Sequence, residues 1–226
     1  MTASLSTATT VILTLAAIVV VFSQCRKPWW FPGRLIAGGM NLRHAGVTRW
    51  GLEHLTIGPA FTILDVGCGG GRTVRTLAEG APERKVHGID YSAASVATAK
   101  AENAALIRVG RVEIRQGSVS RLPFPDATLD LVTAVETHYY WPDPVRDLEE
   151  IRRVLKPGGT LVVIAETFRG QTLGWLVALP MTLLRARYMT LDEHRALFEA
   201  AGFTDITIDN DRLKGWMCAV GRAPAP

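Results

Sequence analysis

The stretch Ile63-Leu64-Asp65-Val66-Gly67-Cys68-Gly69-Gly70-Gly71 decides the fold. Thr62–Val66 is a short apolar, partly β-branched run, which reads as a buried strand. It opens straight into a glycine cluster, and Arg72–Glu79 then reads as a helix stopped by Gly80 and Pro82. Glycines at a strand-to-helix turn allow a sharp bend and let a ligand approach the backbone closely. Two familiar fingerprints fail. The sixth position of the glycine pattern is Arg72 rather than Gly or Ala, so the dinucleotide signature is broken. No Gly-Lys-Ser/Thr follows, so the stretch is not a phosphate-cradling P-loop. What fits is Asp-x-Gly-x-Gly-x-Gly at Asp65, Gly67, Gly69 and Gly71. The acid at Asp65 suits a ligand carrying an ammonium group rather than a pyrophosphate.

Outward from this turn, strands and helices alternate. Strands are expected at Lys85–Ile89, Val112–Arg115, Leu129–Val135, Thr160–Ala165, Thr204–Asp209 and Trp216–Val220. Helical character is expected around Val47–Leu55 and over Ser92–Ala105, which is Ala-rich with Ser92 as N-cap. Pro144–Leu155 carries an apolar stripe, with Asp143 as cap and Pro144 at its first position. Lys156-Pro157-Gly158-Gly159 reads as a turn, and Thr190-Leu191-Asp192-Glu193 as a capping box whose helix Gly202 closes. Such alternation implies an α/β domain with a mostly parallel sheet covered on both faces. Asp90 stands at the end of the second strand, where ligands of open α/β sheets bind. A carboxylate there can accept both hydroxyls of a ribose. Tyr91 beside it offers an aromatic surface for an adenine, while the plainer reading makes Asp90 a cap for the following helix.

The chain has 226 residues and a formal net charge of +4, with 48% apolar and 20% charged residues. That suits one domain with an appendage and excludes a disordered chain. Three cysteines, none in a CxxC pair, exclude a disulfide framework and a zinc knuckle. The histidines form no HxxH or HxxxH pair, so no metal is expected. Met1–Gln24 contains no charged residue, and Arg26 and Lys27 follow beside Trp29, Trp30 and Phe31. Twenty helical residues reach roughly 30 Å, a bilayer core, and basic plus aromatic residues suit its edge. We expect a membrane anchor over 1–25, an approach segment over 26–60 and the domain over 61–222 in the cytoplasm. A surface or core helix and a processed leader are the competing readings of the first segment. Without the anchor the chain is expected to be cytoplasmic.

Four ordered motifs carry a resemblance: ILDVGCGGGRT at 63–73, HGIDYS at 87–92, LPFPDATLDLVTAVETHYYWPD at 122–143 and LKPGGTLVVIAE at 155–166. Together they resemble the class I S-adenosylmethionine-dependent methyltransferases, in the small-molecule, quinone-biosynthesis-like type 11 branch. The resemblance implies a Rossmann-like seven-stranded sheet of order 3-2-1-4-5-7-6 with the seventh strand antiparallel. It implies S-adenosyl-L-methionine as cofactor, with Asp65, Gly67, Cys68, Gly69 and Gly71 around its methionine part. Asp90 would hold the ribose, Tyr91 would pack on the adenine, and Ser118 and Val119 would border it. Many relatives carry an Asp at the position of Ser118; a serine hydroxyl can also accept, so weaker adenine binding is expected. Glu136 falls on the cofactor side by the same analogy.

The acceptor side is read from fewer residues. His138 offers a general base for a phenol, thiol or amine, or simply a packing histidine. Tyr139, Tyr140 and Trp141 offer an apolar acceptor pocket flanking the sulfonium, or loop packing. Leu173–Leu184, with Trp175, is uncharged but too short to span a membrane. It is expected, within an insertion over 168–189, to act as a lid or a lipid contact; a buried core helix is the alternative. A lipophilic small-molecule acceptor follows from these features. The alternative is a non-catalytic cofactor-binding scaffold at the membrane. Aminopropyl transfer would need more acids, arsenic methylation more thiols, and nucleic-acid methylation a basic or Asn/Asp-Pro-Pro-Tyr surface; none is present, so no nucleic-acid partner is expected.

Overall fold

The computed structural model describes residues 44–225. The anchor expected over 1–25 and the first part of the approach segment lie outside these residues. Among the described residues no helix is long and apolar enough to cross a membrane.

In chain order the elements are α1 (Ala45–Leu52), β1 (Ile63–Val66), α2 (Arg72–Gly80), β2 (Val86–Asp90), α3 (Ala93–Glu102), α4 (Ala104–Arg108), β3 (Val112–Gln116) and β4 (Leu129–Val135). A single 3-10 turn (His138–Tyr140) leads to α5 (Pro144–Val154), β5 (Leu155–Ala165), α6 (Gly174–Leu183), α7 (Leu191–Ala200), β6 (Thr204–Asp211) and β7 (Trp216–Arg222). The seven strands form one sheet in the order β3-β2-β1-β4-β5-β7-β6. β1 through β5 pair in parallel, and β7 runs antiparallel to both neighbours.

Alternating residues on the central strands feed two cores, one on each face. Leu64, Val66, Val132, Ala134, Leu161 and Val163 face one side, where Leu148 and Ile151 of α5 and Phe198 of α7 cover them. Ile63, Leu131, Val162 and Ile164 face the other, under Val47 of α1, Val74 and Leu77 of α2, and Val96 of α3.

The local signals act where their chemistry requires. Ser92 Oγ caps α3 by accepting from Ser95 N–H, and Asp143 caps α5, whose first residue is Pro144. Thr190 and Glu193 form a reciprocal capping box on α7. Two boundaries differ from the sequence reading. The helix expected over Ser92–Ala105 breaks at Asn103, whose Nδ2 donates to Ala99 O and Gly71 O, both at 2.9 Å. That side chain spends its donors tying α3 to the glycine turn. The turn expected at Lys156–Gly159 is a bulge inside one long strand: Leu129 pairs with Leu155, and Leu131 with Thr160. Within Leu173–Leu184 the helix α6 spans Gly174–Leu183 and lies at the margin of the core. Only Met181 is buried, while Trp175 is 74% exposed and Leu179 66%.

Candidate functional site

β1 sits where the strand order reverses, with β2 on one side and β4 on the other. Its carboxyl end therefore opens a crevice, and a cavity of about 520 Å³ lies there. Pockets of small ligands run from about 300 to 1,000 Å³.

Asp65, next to last in β1, is almost fully buried, 2% exposed. Thr133 on the neighbouring strand β4 donates its hydroxyl to Asp65 Oδ1 at 2.7 Å. Burial pushes the Asp65 pKa up to about 7; the Thr133 bond opposes this and the charge of Asp90 adds to it. A carboxylate held this way is poised for a cation. The backbone then passes through Gly67, Gly69 and Gly71, all with positive φ. At Gly67 the reason is also spatial: a Cβ would lie 2.1 Å from Thr137 Oγ1. At Gly71 a Cβ would lie 2.8 Å from Ala99 Cα, where α3 approaches the start of α2.

Asp90 ends β2 and braces this loop. Its Oδ2 accepts from Gly69 N–H at 3.0 Å and its Oδ1 from Ser92 N–H at 2.8 Å. Burial raises its pKa, against the pull of those two bonds. Cys68 lies between the two acids, its thiol pushed well above the usual range by burial and by both carboxylates. Asp65, Gly67, Cys68, Gly69 and Asp90 thus line one cavity. Tyr91 follows directly and is 41% exposed. Ser118 and Val119 are not brought into the cavity wall: Ser118 Oγ accepts from Ser120 N–H, and Val119 packs into the core.

Glu136 directly follows β4 with a left-handed backbone, φ 56°. Its Oε1 accepts from the Glu166 N–H and lies 3.3 Å from the Tyr139 hydroxyl. Burial pushes its pKa up to about 7; His44 opposes this and Glu166 adds to it. Tyr140 joins Glu136 and Thr137 in the cavity wall. Tyr139 is buried, its hydroxyl shared between Glu136 and the Thr167 carbonyl.

His138 and Trp141 go elsewhere. Both are buried and line a separate small cavity with His194 and Phe198. His194 Nδ1 bonds Thr190 O at 2.7 Å, which leaves its Nε2 to accept from His138 Nε2–H at 3.0 Å. Burial and the His194 neighbour hold His138 well below its usual pKa. The expected general base is therefore not placed at the cavity, because the 3-10 turn after β4 points its ring toward α7 rather than into the crevice. Trp175 also lies outside the cavity, exposed on α6. The segment behind α6 is stitched to the aromatic loop, since Arg187 N–H donates to Tyr139 O at 3.0 Å.

Sequence reasoning missed Thr133, Thr137, His44 and Glu166. His44 precedes α1 and lines the cavity; its Nδ1 lies 3.2 Å from Glu166 Oε1 and 4.0 Å from Glu136 Oε2. No local pattern marks these residues, because α1 and the ends of β4 and β5 bring them together only in the fold.

The family described as "Methyltransferase domain" matches residues 64–163, from β1 into β5. The uncharacterized methyltransferase YdaC of Bacillus subtilis is 29% identical over 84% of this chain and 99% of its own. A demethylmenaquinone methyltransferase of Lysinibacillus sphaericus is 33% identical over 58% of this chain and 55% of its own. Against several other relatives named as methyltransferases, the chain spans about half of the relative's length or less. A solved SAM-dependent methyltransferase of Aquifex aeolicus superposes with a TM-score of 0.68 over 84% of this chain and 98% of that one, at 21% identity. The sheet in this order, the glycine turn at which β1 opens, and the methyltransferase-domain match from β1 into β5 together support a class I S-adenosyl-L-methionine-dependent methyltransferase domain.

Proposed function

We propose that the chain methylates a small lipophilic acceptor held beside Glu136 and Tyr140. The observation that carries this is one shared cavity with the buried acids Asp65 and Asp90 on one wall and Glu136, Thr137 and Tyr140 on another. S-adenosyl-L-methionine would supply an electrophilic methyl group: the acceptor atom displaces in line at the methyl carbon, and the C–S bond breaks with its electron pair going to sulfur, which leaves as a neutral thioether. The protein's part is alignment and exclusion of water. Asp65 receives the ammonium of the donor, and the Gly67–Gly71 backbone borders its methionine part. Asp90 receives the ribose hydroxyls, and Tyr91 lies against the adenine, with Ser118 and Val119 beyond it. Tyr140 offers its ring to the positive sulfonium.

The lipophilic class of acceptor rests on α6. Leu173, Trp175, Leu176, Leu179 and Leu183 are all half exposed or more. Arg185 and Arg187 follow, and the segment behind the helix is bonded to the Tyr139 carbonyl. Exposed apolar residues flanked by arginines fit a lipid surface, and the uncharged segment Met1–Gln24 would reinforce it. We test both levels with one pair of measurements: methyl transfer to lipophilic phenols, quinones and thiols, and co-sedimentation with anionic vesicles. The Trp175→Ser/Leu179→Ser variant is expected to raise the acceptor KM and to weaken vesicle binding. Unchanged values for both would remove the lipophilic reading while leaving methyl transfer standing.

A further inference from the structure

We propose that His44, Glu136 and Glu166 form a binding site for one divalent transition-metal ion at the acceptor wall of the cavity. Three elements deliver the three side chains: the turn before α1, the end of β4 and the end of β5. One ligand atom from each lies within 4.8 Å of the others. The His44 Nδ1 to Glu166 Oε1 distance is 3.2 Å, and that to Glu136 Oε2 is 4.0 Å. Bonds of about 2.0–2.2 Å to nitrogen and oxygen separate adjacent ligand atoms by roughly 3 Å. The first distance already meets that spacing, and the second needs a closure of about 1 Å, within the reach of a glutamate side chain.

The surroundings hold the ligands in this posture. Glu136 keeps a left-handed backbone, which a residue with a side chain adopts only when its surroundings impose it. Its Oε1 is taken by the Glu166 N–H and the Tyr139 hydroxyl, so Oε2 is the oxygen that faces His44. Outer hydrogen bonds of this kind orient metal ligands. α1 is fixed in turn. A Cβ on Gly51 would lie 2.6 Å from Ile164 of β5, and Trp50 packs on Trp216 of β7.

The donor set selects the ion. One imidazole and two carboxylates suit Mn²⁺, Fe²⁺ or Zn²⁺; Ca²⁺ and Mg²⁺ favour oxygen-only shells. His44 and Glu136 line the cavity, so the free coordination positions point into it. There the ion would bind an acceptor hydroxyl or enol oxygen and ease loss of its proton to solvent. This last use rests on the methyl-transfer reading, whereas metal binding does not. The simpler arrangement is an ion triad in which a protonated His44 bridges the two glutamates without metal.

The test uses the full chain stripped with chelator and titrated near neutral pH with Mn²⁺, followed by electron paramagnetic resonance, and with Zn²⁺, followed by calorimetry. We expect one ion per chain, a nitrogen coupling on bound Mn²⁺, and binding weakened at least tenfold by Glu166→Gln and by His44→Gln. The melting shift induced by S-adenosylmethionine should persist in Glu166→Gln, which reports an intact fold. No stoichiometric binding, binding unchanged in both variants, or bound Mn²⁺ without nitrogen coupling would each overturn the site in favour of the ion triad. Should a variant fail to fold, stoichiometry and nitrogen coupling in the unaltered protein still decide. Because the titration contains no methyl donor, its failure is separate from any failure of methyl transfer.

Discussion

The Asp65–Thr133 contact makes the site sensitive to pH. Asp65 has a folded pKa near 7 against an ordinary 3.8. Its contribution to the stability of the ligand-free protein is therefore full below about pH 4 and lost as pH rises through 7. Binding an ammonium requires the ionised form. Donor affinity governed by Asp65 should thus fall about tenfold per pH unit below 7, with proton release detectable by calorimetry in buffers of different ionisation enthalpy. Thr133→Val removes a bond that stabilises the carboxylate and should move that break to higher pH; an unmoved break would refute the pairing. His138→Phe should behave differently. It leaves His194 Nε2 buried without its donor, at about 1–3 kcal/mol of stability by denaturant titration, without moving the pH–rate profile. A lost acid limb would restore His138 as a base. Gly67→Ala forces a Cβ onto Thr137 at positive φ and should abolish donor binding. Residues in contiguous motifs, such as Asp65 and Asp90, were legible because strand, turn and helix are local. Thr133, His44 and Glu166 were not, since their partners are remote in sequence. The direction of the His138 ring was equally hidden, because a 3-10 turn leaves no periodic trace.

At the level of elements, caps and breakers carried the reading well. Thr190 and Glu193 close the box expected of them, and Thr190→Ala should lower stability by about 1 kcal/mol in chemical denaturation. An unchanged midpoint would mean that α7 is held by Phe198 and its core alone. Asn103 interrupts a helix that alanine-rich composition made look continuous: propensity reports what a segment tolerates, whereas a side chain bonded to a distant carbonyl decides where it ends. α6 was ambiguous for another reason. An apolar helix without charges has no polar face, so its pattern fits a buried helix and a surface patch equally well. Only its placement separates them: Met181 alone reaches a core, while Trp175 and Leu179 stay exposed.

At the scale of the whole molecule, one geometric fact organises the rest. The chain lays β1, β2 and β3 toward one edge and β4 and β5 toward the other, so the β1 end is the place where a ligand can enter. The alternation of strands and helices pointed to a parallel sheet, while the 3-2-1-4-5-7-6 order came from the family resemblance; periodicity alone does not distinguish among crossovers. The measurement that tests the account most directly is a thermal melt with S-adenosylmethionine and with its demethylated product, on the unaltered chain and on Asp90→Asn. At about 100 times the dissociation constant, a ligand adds about 2.7 kcal/mol, a rise of roughly 5–10 °C for a domain of this size. We predict that rise with both ligands in the unaltered chain and a much smaller one in Asp90→Asn. A cooperatively melting protein whose midpoint moves with neither ligand, or an Asp90→Asn variant that shifts as fully as the parent, would contradict it.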